Sequence, residues 1–198
     1  MKKLAVLGSG ENFVSGAVVK YFDGKDVDIC LLSNDEHCNF FIKSKDAKLN
    51  VKYLPDEKTF EYFSAHDFDL IALCDYRNDL SADILETGKF INIHPSLLPA
   101  FKGKDAMERA FLAGVKVSGV TIYSLNANES DNKILAQYPV LISNLTHFDE
   151  FKSDINNIEC KLYPLVIDKL LKDEVFDFSD LVNQNGCSSS CGGCGNCH

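Results

Sequence analysis

The stretch Ile91-Asn92-Ile93-His94-Pro95-Ser96-Leu97-Leu98-Pro99-Ala100-Phe101-Lys102-Gly103 decides how the chain is read. Apolar residues alternate with Asn92 and His94, as in a buried strand delivering two polar side chains to its carboxyl end. The segment from Pro95 to Gly103 continues neither a strand nor a helix easily, because its prolines remove donors and restrict the residues before them. Polar groups converging at a strand end before a stiff loop mark where open α/β sheets place their chemistry.

Working outward, the sequence alternates strands and helices. Lys3–Leu7 is a short strand, Gly8-Ser9-Gly10 a turn, and Phe13, Ala17, Val18 and Phe22 recur at helical spacing. A glycine turn between strand and helix can bring backbone N–H groups to an anion at the helix start. Glu11 would repel a phosphate if it faced inward. Val27–Leu32 is the next strand, followed by a mostly polar connection through Asp46. Val51–Leu54 is a short strand and Glu57–Ala65 a helix. Leu70–Cys74 is a fully apolar strand, Ser81–Thr87 a short helix, and Phe90–His94 a strand. A helix from Ala106 to Ala113, closed by Gly114, follows the proline loop. Val115–Leu125 and Ile134–Ile142 are strands joined only by a loop, so they pair antiparallel. Asp149–Leu171 is an amphipathic helix, which Pro164 should kink or divide. The expectation is an α/β, Rossmann-like fold: a mostly parallel mixed sheet with helices on both faces. Residues 1–180 form one domain, and residues 181–198 a flexible cysteine-rich tail.

Composition excludes several classes. The 198 residues are 45% hydrophobic and 25% charged, an ordinary globular balance. A net charge of −9 argues against nucleic acid, whose phosphates need a basic face. No stretch approaches a membrane span, and Leu4–Leu7 is too short for a signal peptide. A cytoplasmic setting is expected, with a monomer or homodimer. Of eight cysteines, Cys30, Cys38, Cys74 and Cys160 are dispersed and read as small buried residues. Cys187, Cys191, Cys194 and Cys197 crowd the terminus, where four thiolates among glycine and serine can wrap zinc or an iron–sulfur cluster.

The string Asn-Ile-His-Pro-Ser-Leu-Leu-Pro, with Gly103 behind it, resembles the signature of the folate-dependent formyltransferases, and most closely the branch acting on glycinamide ribonucleotide. Gly114–Tyr123 is similar to the strand that follows the signature helix. The resemblance implies catalytic roles for Asn92, His94 and Asp131. Asp131 matches the family's aspartate with one residue inserted before it and one deleted after it, and the family's Gly-Gly-Pro is absent. Glu159-Cys160-Lys161-Leu162-Tyr163-Pro164 resembles the family's Glu-x-x-x-Tyr-Pro, implying that Glu159 reads ribose hydroxyls. Gly10 and Asn12 then fall at the phosphate turn, and Arg77, Asn78 and Leu80 on the folate loop. Implied are 10-formyltetrahydrofolate as cosubstrate and formyl transfer to glycinamide ribonucleotide in purine biosynthesis. Formyl transfer to another small amine, such as an amino-sugar nucleotide, stands as the alternative. A catalytically weakened regulator that binds folate or metal is the rival from another class.

Overall fold

The computed structural model describes residues 1–11, 13–177 and 179. Seven strands form one sheet in the order β3-β2-β1-β4-β5-β6-β7. They are β1 (Lys2–Gly8), β2 (Val27–Ser33), β3 (Val51–Tyr53), β4 (Leu70–Cys74), β5 (Phe90–His94), β6 (Val117–Leu125) and β7 (Ile134–Leu141). The first five run parallel, whereas β5–β6 and β6–β7 pair antiparallel. The expected mixed sheet is therefore present.

Alternation along the central strands sends residues to two separate cores. Leu4, Val6, Ala72, Cys74, Ile91, Ile93, Val120 and Ile122 face α1 (Phe13–Phe22) and α6 (Phe148–Leu171). Ala5, Leu7, Ile71, Leu73 and Phe90 face the other way, onto α3 (Thr59–Ala65) and α4 (Ala82–Leu85). Strands buried on both faces read as continuous apolar runs, which is why β1 and β4 stand out in the sequence. The chain reverses its winding between β1 and β4, and this opens a crevice at their carboxyl ends.

Two expectations need correction. The polar connection before Asp46 contains a helix, α2 (Asn39–Asp46), which buries Phe40 and Phe41 and starts at Cys38, whose sulfur accepts from the Phe41 N–H. The final helix does not end at Pro164 but runs unbroken from Phe148 to Leu171. Pro164 removes one intrahelical donor, and the helix persists because Leu162, Tyr163, Leu165, Val166 and Ile167 are all buried around it. Smaller differences fall at boundaries: Asp56–Lys58 forms a 3₁₀ turn ahead of α3, β6 begins at Val117, and Cys30 and Cys160 are only half-buried. Remaining helix α5 spans Ala106–Leu112. Among the described residues, no helix is long and apolar enough to cross a membrane.

Candidate active site

Strand β5 is the floor of the site. Its register places Asn92 opposite Tyr123 and His94 opposite Thr121 on β6, so these four side chains share the sheet face that Phe90 and Leu125 occupy lower down. Asn92 is held at both ends. Its Oδ1 accepts from the Ile93 N–H at 2.9 Å, and its Nδ2 donates to the Tyr123 hydroxyl at 3.1 Å. One Nδ2 proton remains for a ligand.

The loop Pro95–Gly103 fixes His94. The Ser96 hydroxyl donates to the Ala100 carbonyl at 2.7 Å, so the 3.0 Å contact between Ser96 Oγ and His94 Nδ1 is a bond donated by the imidazole. Nε2 faces both backbone groups of Gly103 at 3.3 Å: its lone pair accepts from the N–H in the neutral ring, and the protonated ring can donate to the carbonyl. Burial lowers the His94 pKa, the hydrogen bond with the Gly103 backbone opposes this, and the Arg109 charge lowers it further. The lowered pKa favours the neutral imidazole, with Nε2 as its basic atom.

Three residues that the sequence did not single out hold that loop. Thr121 Oγ1 donates to the Ser96 carbonyl at 2.7 Å and accepts from the Leu98 N–H at 3.0 Å. Gln137 Nε2 lies 2.8 Å from the Leu98 carbonyl and 3.0 Å from Thr121 Oγ1. Arg109 caps the outer turn, donating to the carbonyls of Phe101, Lys102 and Lys104 at 2.8–3.0 Å. Stiff loop geometry therefore comes from cross-strand partners as well as from proline. Thr121→Val leaves a loop N–H and a carbonyl short of their bonds inside a buried site. We expect it to lower stability by about 2 kcal/mol and to reduce kcat/KM, read by urea denaturation and steady-state kinetics.

Among the described residues, no hydrogen bond joins the Asp131 side chain to His94. The hairpin between β6 and β7 begins beside Phe90, about 13 Å along β5 from His94 at ~3.3 Å per residue. Asp131 ends a 3₁₀ turn, Glu129–Asp131, and lines a shallow depression with Ser124, Asn126, Ser130 and Lys133. Its Oδ1 accepts from the Ser130 hydroxyl at 3.4 Å. The hairpin tip folds back through a neighbour instead: Glu129 pairs with Lys102 Nζ at 2.6 Å, next to Gly103. A second concavity, of about 400 Å³, opens at the amino ends of β4 and β5 between Leu70, Phe90 and Leu170, away from His94.

Glu159 sits at the β1–β4 crevice. The hydroxyl of buried Tyr163 donates toward the carbonyls of Leu73 and Ile91, at 3.0 and 3.1 Å, which anchors α6 beneath the gap between β4 and β5. Glu159, one turn earlier on the same helix face, then lies near Asp75 at the end of β4. It is 8% exposed, and no hydrogen-bond partner for it occurs among the described residues. Burial pushes its carboxyl up to about 8, helped by the Asp75 charge. Asp75 is itself open to solvent by area, but neighbouring atoms crowd water from its carboxyl. This crowding and the Glu11 charge raise its pKa against the opposing pull of Arg77.

A raised carboxyl makes stability pH-dependent. Between its usual value of 4.5 and about 8, the folded Glu159 holds a proton that the unfolded chain has lost. The Glu159 contribution to stability is fullest below about 4.5 and falls as pH rises toward 8. We expect Glu159→Gln to flatten that part of the pH–stability curve, read by urea denaturation at pH 5.5 and 8.0. A slope as steep as the unaltered protein's would contradict it.

The remaining candidate residues divide. Gly10 lies at the crevice, where an added Cβ would meet Asp75 Cβ at 2.7 Å. Ser9 ties the turn to Asn34 at 2.6 Å, and Glu11 accepts from Asn39 at 2.9 Å on the rim. Arg77 faces Asp35 at 3.8 Å, and Asn78 donates to Asp56, so both are engaged with the β2–β3 side. Leu80 packs in the core layer with Phe90 and Leu125, on the Asn92 side of the sheet. Asn12, Cys187, Cys191, Cys194 and Cys197 lie outside the described residues. Among the described residues, no group of three or more His, Cys, Asp or Glu side chains is placed to hold a metal ion.

Known proteins are similar to this chain in sequence and fold. Residues 31–167 match the formyl transferase family. Phosphoribosylglycinamide formyltransferase of Bacillus subtilis is 34% identical over 186 residues, covering 86% of this chain and 95% of that protein. The Haemophilus influenzae protein of the same name is 28% identical over 184 residues, covering 84% and 86%. The crystal structure of phosphoribosylglycinamide formyltransferase from Bacillus halodurans superposes with a TM-score of 0.78 at 26% identity, covering 86% of this chain and 95% of that one. Glycinamide ribonucleotide transformylase 1 from Geobacillus kaustophilus gives 0.79 at 27% identity, covering 86% and 99%. A family match over most of the chain, spanning the strand that carries Asn92 and His94, settles the class: this chain belongs to the formyl transferase family and is an enzyme of that kind.

Proposed function

We infer that the protein transfers the formyl group of 10-formyltetrahydrofolate to the amine of glycinamide ribonucleotide, a step of purine biosynthesis. The observation that carries this reading is the placement of Asn92 and His94 on one face at the carboxyl end of β5, Asn92 held by Tyr123 and His94 by the clamped loop. The substrate amine attacks the formyl carbon, and the carbonyl electron pair moves onto oxygen. The remaining Asn92 amide N–H donates a hydrogen bond to that oxygen, a stabilisation realised most strongly in the tetrahedral state. His94 Nε2 takes the proton released by the amine. The carbon–N10 bond then breaks, N10 regains a proton, and tetrahydrofolate leaves. Asp131 is assigned to the proton path through the hairpin that Glu129 and Lys102 tie to the His94 loop. Glu159 takes the ribose hydroxyls, with Gly10 and Asn12 toward the phosphate. Leu80 packs against the folate, and Arg77 and Asn78 border it.

A cytoplasmic, monomeric or dimeric enzyme is the setting we propose, with small-molecule substrates and neither membrane nor nucleic acid as partner. Metal binding by Cys187, Cys191, Cys194 and Cys197 is a separate proposal, read by metal analysis of anaerobically purified protein with and without residues 187–198. One observation favours a different amine: Glu11 and Asp75 place negative charge at the crevice where a phosphate would lie. Purified protein supplied with 10-formyltetrahydrofolate and either glycinamide ribonucleotide or an amino-sugar nucleotide separates the two. Higher kcat/KM with glycinamide ribonucleotide is expected. The reverse order would transfer the assignment to the second substrate.

A further inference from the structure

We propose that Asp75 is a specificity-determining residue of the crevice, whose carboxylate opposes an anion at the glycine turn after β1. The substrate's phosphate is then held weakly, and Glu159, assigned above to the ribose, carries more of the recognition. The turn by itself is a receptive place for an anion. Neither the Gly10 nor the Glu11 N–H donates a hydrogen bond among the described residues. Helix α1 begins just beyond, at Phe13, with no acidic residue in its first turn. Free N–H groups and the positive end of a helix favour negative charge.

Asp75 stands against that attraction. It follows β4 directly, and its φ of 52° lies in the left-handed region, which aspartate tolerates better than most residues. The side chain lies over Gly10. A Cβ built on that glycine would stand 2.7 Å from Asp75 Cβ and 3.4 Å from its Cγ, so Gly10 has to be a glycine to make room for Asp75. The Asp75 carboxylate makes no hydrogen bond or ion pair among the described residues. Arg77 offsets part of its charge, but the guanidinium lies 3.8 Å from Asp35. Glu11, the other acid at the turn, accepts from Asn39 at 2.9 Å. Of the two acids, Asp75 is the one with an unengaged carboxylate beside the turn. Buried Glu159 also has no hydrogen-bond partner among the described residues, which leaves it free for a ligand. Hydroxyls can donate to such carboxylates, whereas a phosphate meets them with like charge.

This role rests on the formyl-transfer reading above and adds what sets the grip on the nucleotide. Asp75→Asn keeps the shape, tolerates the same backbone region and removes the charge. With 10-formyltetrahydrofolate, its KM for glycinamide ribonucleotide is expected to fall about tenfold, while KM for the folate stays within about twofold. Asp28→Asn is the control, since it removes a negative charge at the amino end of β2, the opposite end of the sheet. Its KM for the nucleotide should match the unaltered protein's. Inorganic phosphate is a probe that needs no turnover, and calorimetry should show it binding about tenfold more tightly to Asp75→Asn than to the unaltered protein. Equal phosphate affinity in those two proteins would overturn the role of Asp75. So would an unchanged or raised nucleotide KM, or an equal fall in Asp28→Asn. Lack of turnover by the unaltered protein would overturn the formyl-transfer reading instead, and the phosphate titration would still decide what Asp75 does.

Discussion

Asn92→Ala is expected to lower kcat by about 100- to 1,000-fold while leaving KM for either substrate within a few-fold. The direction follows from when the interaction forms. A neutral formyl oxygen gains little from the amide proton, whereas the tetrahedral oxyanion gains much, so deletion raises the barrier more than it weakens binding. The fold should tolerate the change. Asn92 is half-buried, its bonds run to one backbone N–H and to Tyr123, and the β5 ladder to β4 and β6 does not depend on its side chain. Steady-state kinetics and a urea melt on the same preparation read both quantities. An unchanged kcat, or a rise in KM alone, would remove Asn92 from the reacting atoms.

Gly119→Ala should lower stability by about 3 kcal/mol, at the upper end of what overpacking usually costs. Gly119 lies in the middle of β6, opposite Pro139. A Cβ there would stand 2.1 Å from the Tyr138 carbonyl oxygen and 2.8 Å from Leu97 Cδ2. The first neighbour is backbone, so β6 and β7 must part at this point. The second belongs to the loop that orients His94, so residual activity should fall along with the denaturation midpoint. The constraint is space rather than backbone conformation, and Ser would fare no better. A Gly119→Ala protein with the unaltered midpoint would contradict so close an approach of β6 and β7 at this point.

The fold was largely readable because its central strands carry the two signals that survive in a single sequence. Runs such as Leu70–Cys74 are apolar throughout, and Asn92 and His94 alternate with the apolar residues of Phe90–His94 with period two. Helix α2 escaped because Lys43, Lys45 and Asp46 dominate its composition, only Phe40, Phe41 and Ser44 are buried, and its cap is a cysteine rather than a serine or aspartate. The clamps on the His94 loop escaped for a different reason. Thr121 and Gln137 acquire their partners through strand register, and Arg109 through the turn of α5, so neither is visible as a local motif. Tyr123 belongs with them: beside Ile122 it reads as one more apolar strand residue until the register sets it against Asn92.

The acidic residues show where local pattern and geometry part. Asp131 matches the family's aspartate only through one inserted and one deleted residue; its Oδ1 accepts from the Ser130 hydroxyl, while Glu129 beside it makes the contact to Lys102. A hairpin tip has no register to fix its side chains, so sequence offset determines little there. Glu159 is the converse. A glutamate on a long helix is usually solvated, but Tyr163 one turn later is fully buried and bonded to two strand carbonyls, which forces Glu159 into the crevice.

The central claim is formyl transfer at the Asn92–His94 end of β5, and label transfer tests it most directly. Full-length protein is incubated with tetrahydrofolate carrying a ¹³C-labelled 10-formyl group and with glycinamide ribonucleotide, and the products are read by mass spectrometry. The account predicts that the label appears on the nucleotide amine with the unaltered protein and is strongly reduced with Asn92→Ala. Label that stays on the folate, or is released as free formate at the same rate with and without the nucleotide, would contradict it.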